Sequence, residues 1–452
     1  MRNISCDKLT QLLVRERETY LTKHPKSHSS YQDSHNLFGK VPMTWMNKWS
    51  GGFPLYLSKA NGNSITDIDG NIYVDFALGD TGAMAGHSPK ATIDAVNQRM
   101  AELGGITTML PTIDAQWVGA NLTERFGLPL WSFTLSATDA NRWALRIARL
   151  VTGRPKILVF SYCYHGSVDE TFITIDENGN PRSRPGNVAP AVNPTETTRV
   201  VEFNDFTALQ RELVHGDVAA ILMEPALTNI GIVLPEPGYL TKVREIANAT
   251  GTLLINDETH TFSAGPGGAT KAMNLAPDII TIGKSIGGGI PCGAYGITRE
   301  IAAKVAQHQE ADLVDVGGVG GTLAGNALSI AAMRATLEHV LTEDAFEHMI
   351  ELATLFTKDV QRAIDKHQVD WSVVQLGARA EYRFTKPAPK NGGQAAAASN
   401  DQLDEYMHLY TINRGIMMTP FHNMALMCPE TTKADIELHN EVFNQALTEL
   451  IS

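Results

Sequence analysis

Short apolar runs alternate with longer amphipathic stretches over residues 88–337. The runs are rich in β-branched residues and predict strands at 132–135, 156–161, 199–202, 218–223, 252–256, 279–282 and 294–298. Strands that alternate with helical stretches are typical of an α/β fold with a doubly wound, mainly parallel sheet. Ligands in such sheets bind at the carboxyl ends of the strands, so polar residues at those ends are candidate site residues.

The segments on either side of this region have different patterns. Residues 1–50 begin with an amphipathic helix and then lose periodicity, and residues 55–76 carry hairpin signals around the turn at 69–71. From about residue 340, helices and strand segments predict a smaller α+β domain, in which residues 386–400 form a flexible loop. We therefore predict an N-terminal arm and hairpin over 1–75 that belong with the small domain, a large domain over 76–335 and a C-terminal small domain over 336–452.

Composition narrows the class of protein. The chain has 452 residues, 43% of them apolar and 19% charged, and its net charge of -12 argues against a nucleic-acid-binding protein, which needs a basic face. Its cysteines lie far apart and predict neither a zinc site nor a disulfide framework: Cys6, Cys163, Cys292 and Cys428. Together with the lack of a long apolar run, they predict a cytoplasmic protein that neither contains a metal site nor spans a membrane.

One lysine, Lys284, follows the predicted strand 279–282 and precedes a glycine-rich turn. A phosphate-binding P-loop would need a glycine at position 278, where the chain has Asp278, and a flexible cradle in place of the strand. Partial desolvation at the end of a strand makes an amine a better nucleophile toward an aldehyde. Lys284 is therefore a candidate Schiff-base lysine, although this segment alone also fits an ordinary surface lysine.

A carboxylate occupies a similar position on a neighbouring predicted strand, because Asp257 ends the run 252–256. An acid and a lysine on adjacent strand ends suit pyridoxal phosphate: the acid keeps the pyridine nitrogen protonated and the lysine binds the aldehyde. A structural ion pair is the alternative that these two residues leave open.

The order of several motifs resembles that of the class III, fold type I, pyridoxal-phosphate aminotransferases, and within them the glutamate-1-semialdehyde aminomutase branch. The motifs are 223–225 with Asn229 and Gly231, then 257–258, then 283–284, and earlier segments at 67–71 and 86–89 extend the resemblance over nearly the whole chain. It implies that the large domain binds pyridoxal phosphate. It also implies a homodimer with shared active sites, in which the N-terminal segment contributes to the dimer interface.

The resemblance assigns roles to residues at matching positions. Lys284 would form the Schiff base and then move a proton, and Asp257 would hold the pyridine nitrogen. Ser136, Ala137 and Thr138 would bind the phosphate at the start of a helix. The ring of Tyr164 would stack on the cofactor, and Thr322 would reach the phosphate in the neighbouring subunit. The other implied cofactor contacts are His165, Glu224, Asn229 and Thr259.

Departures from the aminomutase pattern concern the substrate. Trp45 stands where the aminomutase has an arginine, although Lys48 is a substitute cation, and Met424 stands where it has a glutamate. Further candidates for contact with an amine substrate or its anionic group are Asp80, Arg379 and Arg383. The two losses argue against the true aminomutase reaction.

An aminotransferase is therefore the expected function. The alternative is an ammonia-lyase that acts on a β-hydroxy or phosphorylated amine, such as a hydroxy-aminoalkyl phosphonate. Thr259 replaces the valine that is usual in the family, and the next residue, His260, would either assist proton transfer or be a hydrogen-bonded structural histidine.

Overall fold

The computed structural model describes residues 4–308 and 318–452. Its strands, β1 to β16 in chain order, are Leu57–Asn61, Ser64–Asp67, Ile72–Asp75, Leu130–Thr134, Lys156–Phe160, Ile173–Ile175, Pro181–Ser183, Thr198–Val201, Val218–Met223, Leu253–Asp257, Ile279–Gly283, Gly293–Ile297, Ser372–Leu376, Arg379–Arg383, Ile416–Met417 and Met424–Leu426. The α-helices of the described residues, α1 to α15, are Cys6–Lys23, Pro25–Asp33, Lys90–Asn97, Ile113–Phe126, Ala137–Thr152, Pro194–Thr197, Phe206–Leu213, Tyr239–Thr250, Gly268–Ala272, Arg299–Val305, Ala327–His339, Glu343–His367, Gly392–Ala397, Asp401–Ile412 and Lys433–Ile451.

The chain divides into two compact units. The small unit contains residues 1–88, 347–388 and 398–452, and the large unit contains residues 89–346 and 389–397. The division predicted from the sequence had its boundaries at 75 and 335, whereas the units change at 88 and 346. The N-terminal and C-terminal segments thus belong to the same unit.

A seven-stranded sheet forms the centre of the large unit, in the order β4-β12-β11-β10-β9-β5-β8. The strands pair in parallel except at β12, which is antiparallel to both β11 and β4. Each strand predicted over 88–337 matches an observed strand to within two residues at either end. This confirms the mainly parallel, doubly wound α/β architecture.

Helices bury the faces of this sheet, which explains why its inner strands are mostly apolar. Every residue of β9 and of β11 is buried. Helix α5 places Ala140, Ala144, Leu145 and Ala148 in the same core, and its small side chains let the helix lie close to the strands. In a sheet covered on both faces, only the strand ends are open to a ligand, and the polar residues of the site lie at those ends.

The small unit contains two further sheets. One has the order β1-β2-β3-β15 and includes the hairpin that the turn signal at 69–71 predicted. The other has the order β13-β14-β16 and is antiparallel throughout. These sheets agree with the predicted α+β character of the smaller domain.

The prediction of a flexible loop over 386–400 was wrong in part. Residues Gly392–Ala397 form helix α13, and a Cβ atom at Gly392 would lie 2.2 Å from the carbonyl oxygen of Ser161. Glycine is therefore needed for this close approach, which the Ala- and Gly-rich composition alone did not indicate. In the part of the chain that the structure describes, no helix has the length and apolar character needed to cross a membrane.

Candidate active site

Asp257 is buried at the carboxyl end of β10, with 3% of its surface exposed. One carboxylate oxygen, Oδ2, accepts a hydrogen bond from Asn141 Nδ2 at 2.8 Å and lies 2.9 Å from His165 Nδ1. The other, Oδ1, accepts a hydrogen bond from the backbone N–H of Thr259 at 3.0 Å. The carboxylate is thus held in one orientation from three sides.

These contacts keep Asp257 charged. Burial would raise the pKa of its carboxyl group, but the hydrogen bond and charge of His165, aided by Asn141 and Thr259, lower that pKa below its ordinary value. Burial likewise disfavours the imidazolium of His165, whereas neighbouring Cys163 and the Asp257 carboxylate raise the pKa of the imidazole well above its ordinary value. The lowered pKa of Asp257 and the raised pKa of His165 both favour an ion pair between the two side chains.

Asn141 joins three elements of the site. Its Nδ2 donates to Asp257 and, at 3.1 Å, to the carbonyl oxygen of His165, while its Oδ1 accepts a hydrogen bond from the Thr281 hydroxyl at 2.6 Å. Sequence reasoning missed this residue. The available signal was a single amide on the buried face of helix α5, one turn after the residues predicted to bind phosphate.

Lys284 lies on the neighbouring strand end. Strands β10 and β11 pair in parallel with Asp257 opposite Thr281, so Lys284 follows three residues beyond the residue that faces Asp257. Its backbone has φ 51°, a left-handed conformation that costs a non-glycine residue free energy and that is over-represented at functional sites. Its Nζ lies 2.9 Å from Nε2 of His260.

The predicted phosphate-binding residues lie at the start of the 16-residue helix α5. Ser136 is its N-cap and accepts a hydrogen bond from the backbone N–H of Asp139 at 3.2 Å. A Cβ atom at Gly283 would lie 2.8 Å from the backbone nitrogen of Ala137, and one at Gly166 would lie 2.1 Å from Oγ1 of Thr138. These glycines let β11 and the loop after β5 approach the helix start, where backbone N–H groups and the helix dipole favour an anion.

The other predicted cofactor residues of the large unit occupy loops and strand ends. The ring of Tyr164 is partly exposed and packs edge-on against Phe172. Glu224 is buried after β9 and accepts a short hydrogen bond from the Thr228 hydroxyl. The remaining positions are Asn229, whose Nδ2 donates to the Tyr162 carbonyl oxygen at 3.0 Å, the buried Thr259, and the exposed Thr322. Their cofactor contacts stay predictions.

In the small unit, the predicted arginines lie on one strand. Arg379 and Arg383 are the first and last residues of β14, and both are buried. Arg379 donates to the Thr81 hydroxyl at 2.5 Å, and Arg383 donates to the Ser399 hydroxyl at 3.3 Å.

Two charged residues that the sequence did not single out lie within the small unit near these arginines. Glu381, between them on β14, lies 3.4 Å from the imidazole of His422. Burial would lower the pKa of His422, but the charge of Glu381, with a contribution from Asp80, raises it. Asp80 is therefore part of this charged cluster, and its backbone has φ 50°.

Two of the three remaining substrate candidates lie beside an aromatic side chain of the small unit. Trp45 packs edge-on against Phe421, with ring centroids 6.2 Å apart, and Lys48 Nζ lies 6.0 Å from the centroid of the same ring. Met424 is buried in β16 and pairs with Glu381 in the strand register. Trp45 and Lys48 thus lie together, while Met424 lies in a sheet.

Comparison with known families identifies the chain. The model of the family "Aminotransferase class-III" matches residues 45–447. The chain belongs to this family. It is therefore a fold type I enzyme that depends on pyridoxal phosphate, which confirms the family, the fold and the cofactor predicted from the motifs.

Two of the similar proteins carry the name of the branch that the motifs indicated. A solved structure from Pseudomonas aeruginosa PAO1, of a lysine-to-alanine variant of a glutamate-1-semialdehyde-aminomutase in complex with PMP, is 45% identical, covers 99% of both chains and has a TM-score of 0.96. A glutamate-1-semialdehyde 2,1-aminomutase of Staphylococcus haemolyticus is 30% identical over 88% of this chain and 92% of its own length. An omega-transaminase from Sphaerobacter thermophilus is 26% identical over 96% of this chain and all of its own, with a TM-score of 0.85.

These relatives do not support the expectation that the chain differs in reaction from a true aminomutase. That expectation rested on two positions, Trp45 and Met424. The chain is similar over 99% of its length to a protein with the aminomutase name, so these two positions do not exclude that reaction.

The described residues fit pyridoxal phosphate. The large unit offers a buried carboxylate for a pyridine nitrogen, a lysine for an aldehyde and a helix start for a phosphate. The close approach at Gly283 brings two of these together, because a side chain there would collide with the first residue of helix α5. Asn141 contacts both Asp257 and Thr281, so it holds the buried carboxylate in position relative to the helix start and to the strand that leads to the lysine.

Proposed function

We propose that this enzyme is an aminotransferase, which takes the amino group of a primary amine substrate and passes it to a keto acid or an aldehyde. The observation that carries the proposal is the buried Asp257 carboxylate, held by Asn141, His165 and Thr259 on the strand next to the one that leads to Lys284. Pyridoxal phosphate supplies an aldehyde and an electron-accepting ring when it is bound.

Each residue of the proposed site has its own role toward the cofactor. Asp257 keeps a proton on the pyridine nitrogen, since its own charge is maintained by His165. Lys284 would hold the cofactor through its aldehyde and would move a proton during the reaction. The backbone and hydroxyl groups of residues 136–138 orient the phosphate, and the ring of Tyr164 stacks on the cofactor ring.

A second candidate is the internal amino transfer of an aminomutase, in which the amino donor and acceptor are parts of one molecule. The 45% identity to the Pseudomonas aeruginosa protein favours it. Both candidates would use the same residues to hold the cofactor, and they differ in the origin of the amino acceptor.

A half-reaction without any keto acid tests the proposal. The purified holoenzyme is mixed with a panel of primary amines, including β-hydroxy and phosphorylated ones, and its visible absorption and the ammonia in solution are measured. We expect stoichiometric conversion of the cofactor to its amine form with one turnover. Continuous release of ammonia without an acceptor would instead identify the ammonia-lyase and overturn the proposal.

We also propose that two copies pair with shared active sites. Apolar side chains are exposed along one segment of the large unit: Met100, Leu103, Met109, Leu110 and Ile113. A second copy of the chain would remove this apolar surface from water. The exposed Thr322 would then reach the phosphate in the partner's site.

Complementation between inactive variants tests this arrangement. Lys284→Ala and Thr322→Ala are each expected to impair both sites of a homodimer, whereas a mixed dimer contains one site with both residues intact. Mixing the two variants under conditions that exchange subunits should restore activity. Absence of any restoration in dimers shown by mass to be mixed would contradict shared sites.

The thiols support a cytoplasmic location for the enzyme, which we propose on that ground. Cys163, Cys292 and Cys428 are buried and unpaired, as expected in a reducing compartment.

A further inference from the structure

His260 contacts the amine on which the proposed function depends. Its Nε2 lies 2.9 Å from Lys284 Nζ, within the distance over which a general base takes a proton. We propose that His260 is a catalytic base paired with Lys284, which accepts the proton of the lysine ammonium and releases the amine for attack on the cofactor aldehyde. The inference rests on the proposed function, because it requires Lys284 to be the lysine that binds the cofactor.

A buried carboxylate fixes the segment that leads to His260. Glu258 is fully buried two residues earlier and accepts hydrogen bonds from the Thr261 hydroxyl at 2.6 Å, the Ala269 N–H at 3.1 Å and the Thr270 N–H at 2.5 Å. Its own N–H donates to the Thr281 carbonyl oxygen on β11, at 2.8 Å. The segment is thus anchored both to helix α9 and to the strand that carries Lys284.

The residues after His260 are anchored as well. Phe262 is fully buried and packs against Phe126 and Phe346, with ring centroids 5.7 Å and 5.2 Å apart. The hydroxyl of Ser263 donates to the His260 carbonyl oxygen at 3.0 Å. With both flanks held, the fold fixes the backbone at His260, and from this position the imidazole lies within hydrogen-bond distance of Lys284.

Lys284 Nζ and His260 Nε2 share one proton in the hydrogen bond between them. If Nζ is an ammonium it donates to a neutral Nε2, because two positive charges at this distance would repel each other. The proposed step moves one proton from Nζ to Nε2, leaves the lone pair of Nζ available and makes or breaks no other bond. One positive charge thus passes from the lysine to the imidazole, and the total charge of the pair is unchanged.

Charged groups on the surrounding elements set the electrostatic environment of the pair. Asp257 and Glu258 precede His260 at the end of β10, and His165, after β5, is hydrogen-bonded to Asp257. Lys271 on helix α9, which packs beside the turn Thr261–Ala264, is exposed. Burial raises the pKa of the Glu258 carboxyl, so Asp257 is the permanent negative charge of this group.

The test measures how fast the apo-protein acquires the visible absorption of covalently bound cofactor after mixing with pyridoxal phosphate. In the native protein this rate should fall at acidic pH, because a protonated His260 cannot take the proton. His260→Gln should slow the reaction at neutral pH by about tenfold or more and should depend less on pH than the native protein does. His215→Gln, at an exposed histidine of the same unit, should behave like the native protein.

A second variant keeps the test decisive if glutamine perturbs the fold. His260→Ala should be slow and should be rescued by added imidazole, which can enter the space left by the ring. Native rates and an unchanged pH profile in His260→Gln, or slowing without rescue in His260→Ala, would overturn the inference and leave His260 a structural residue. Failure of the proposed function is distinct, because the cofactor would then not attach to Lys284 in the native protein.

Discussion

Replacing Asn141 with leucine tests whether this amide holds the candidate site together. Leucine has a similar size but removes three hydrogen bonds, to Asp257 Oδ2, to the His165 carbonyl oxygen and from the Thr281 hydroxyl. The bond to the charged Asp257 contributes about 1.5 to 3 kcal/mol, and each neutral bond contributes about 1 kcal/mol. We therefore expect the large unit to lose roughly 3 to 5 kcal/mol of stability.

Thermal unfolding of the apo-protein measures this loss. For a domain of this size, 1 kcal/mol corresponds to a shift in Tm of roughly 2 to 4 °C, so Asn141→Leu should lower Tm by at least about 6 °C. Thr281→Val is the matched variant, since it removes only one of the three bonds and should cost about 1 kcal/mol.

The double variant measures the coupling. Asn141→Leu with Thr281→Val should cost less than the two single variants added together, because both remove the same hydrogen bond. A Tm for Asn141→Leu within about 2 °C of the native value would refute the assignment of Asn141 as the residue that bridges Asp257 and Thr281.

Two further predictions concern the same unit. Because the pKa of His165 is raised in the folded protein, its contribution to stability is complete below the ordinary imidazole pKa of about 6.5 and is lost as the pH rises through the raised value. His165→Gln should therefore lower Tm more at acidic than at alkaline pH. An equal loss of Tm at both pH values would contradict the ion pair. Gly283→Ala should cost about 1 to 3 kcal/mol in thermal unfolding and weaken cofactor binding in a titration, because its Cβ would lie 2.8 Å from Ala137 N. Gly119→Ala, with open space around it in helix α4, should be neutral or stabilising. Equal behaviour of the two variants would contradict the close approach at Gly283.

The sequence predicted the features of this fold that depend on local pattern. Buried strands such as β9 and β11 are continuous apolar runs, so their bounds were predicted closely. Lys284 and Asp257 could be identified because each follows such a run and because two neighbouring parallel strands must end at the same edge.

Features that depend on pairing between distant residues could not be predicted. Asn141 and Thr281 are 140 positions apart, and only the packing of helix α5 on the sheet brings their side chains together. The contact between His165 and Asp257 spans 92 positions for the same reason. Residues 389–397 belong to the large unit although the surrounding chain belongs to the small one, and composition carries no signal for that.

The attachment point of the cofactor tests the central claim most directly. The native protein is incubated with pyridoxal phosphate, reduced with borohydride and digested, and the modified peptide is identified by mass spectrometry. The account predicts a stoichiometric adduct on Lys284 that is absent from Lys284→Ala. Stoichiometric modification of another lysine, or an unmodified Lys284 in a protein that has taken up the cofactor, would contradict it.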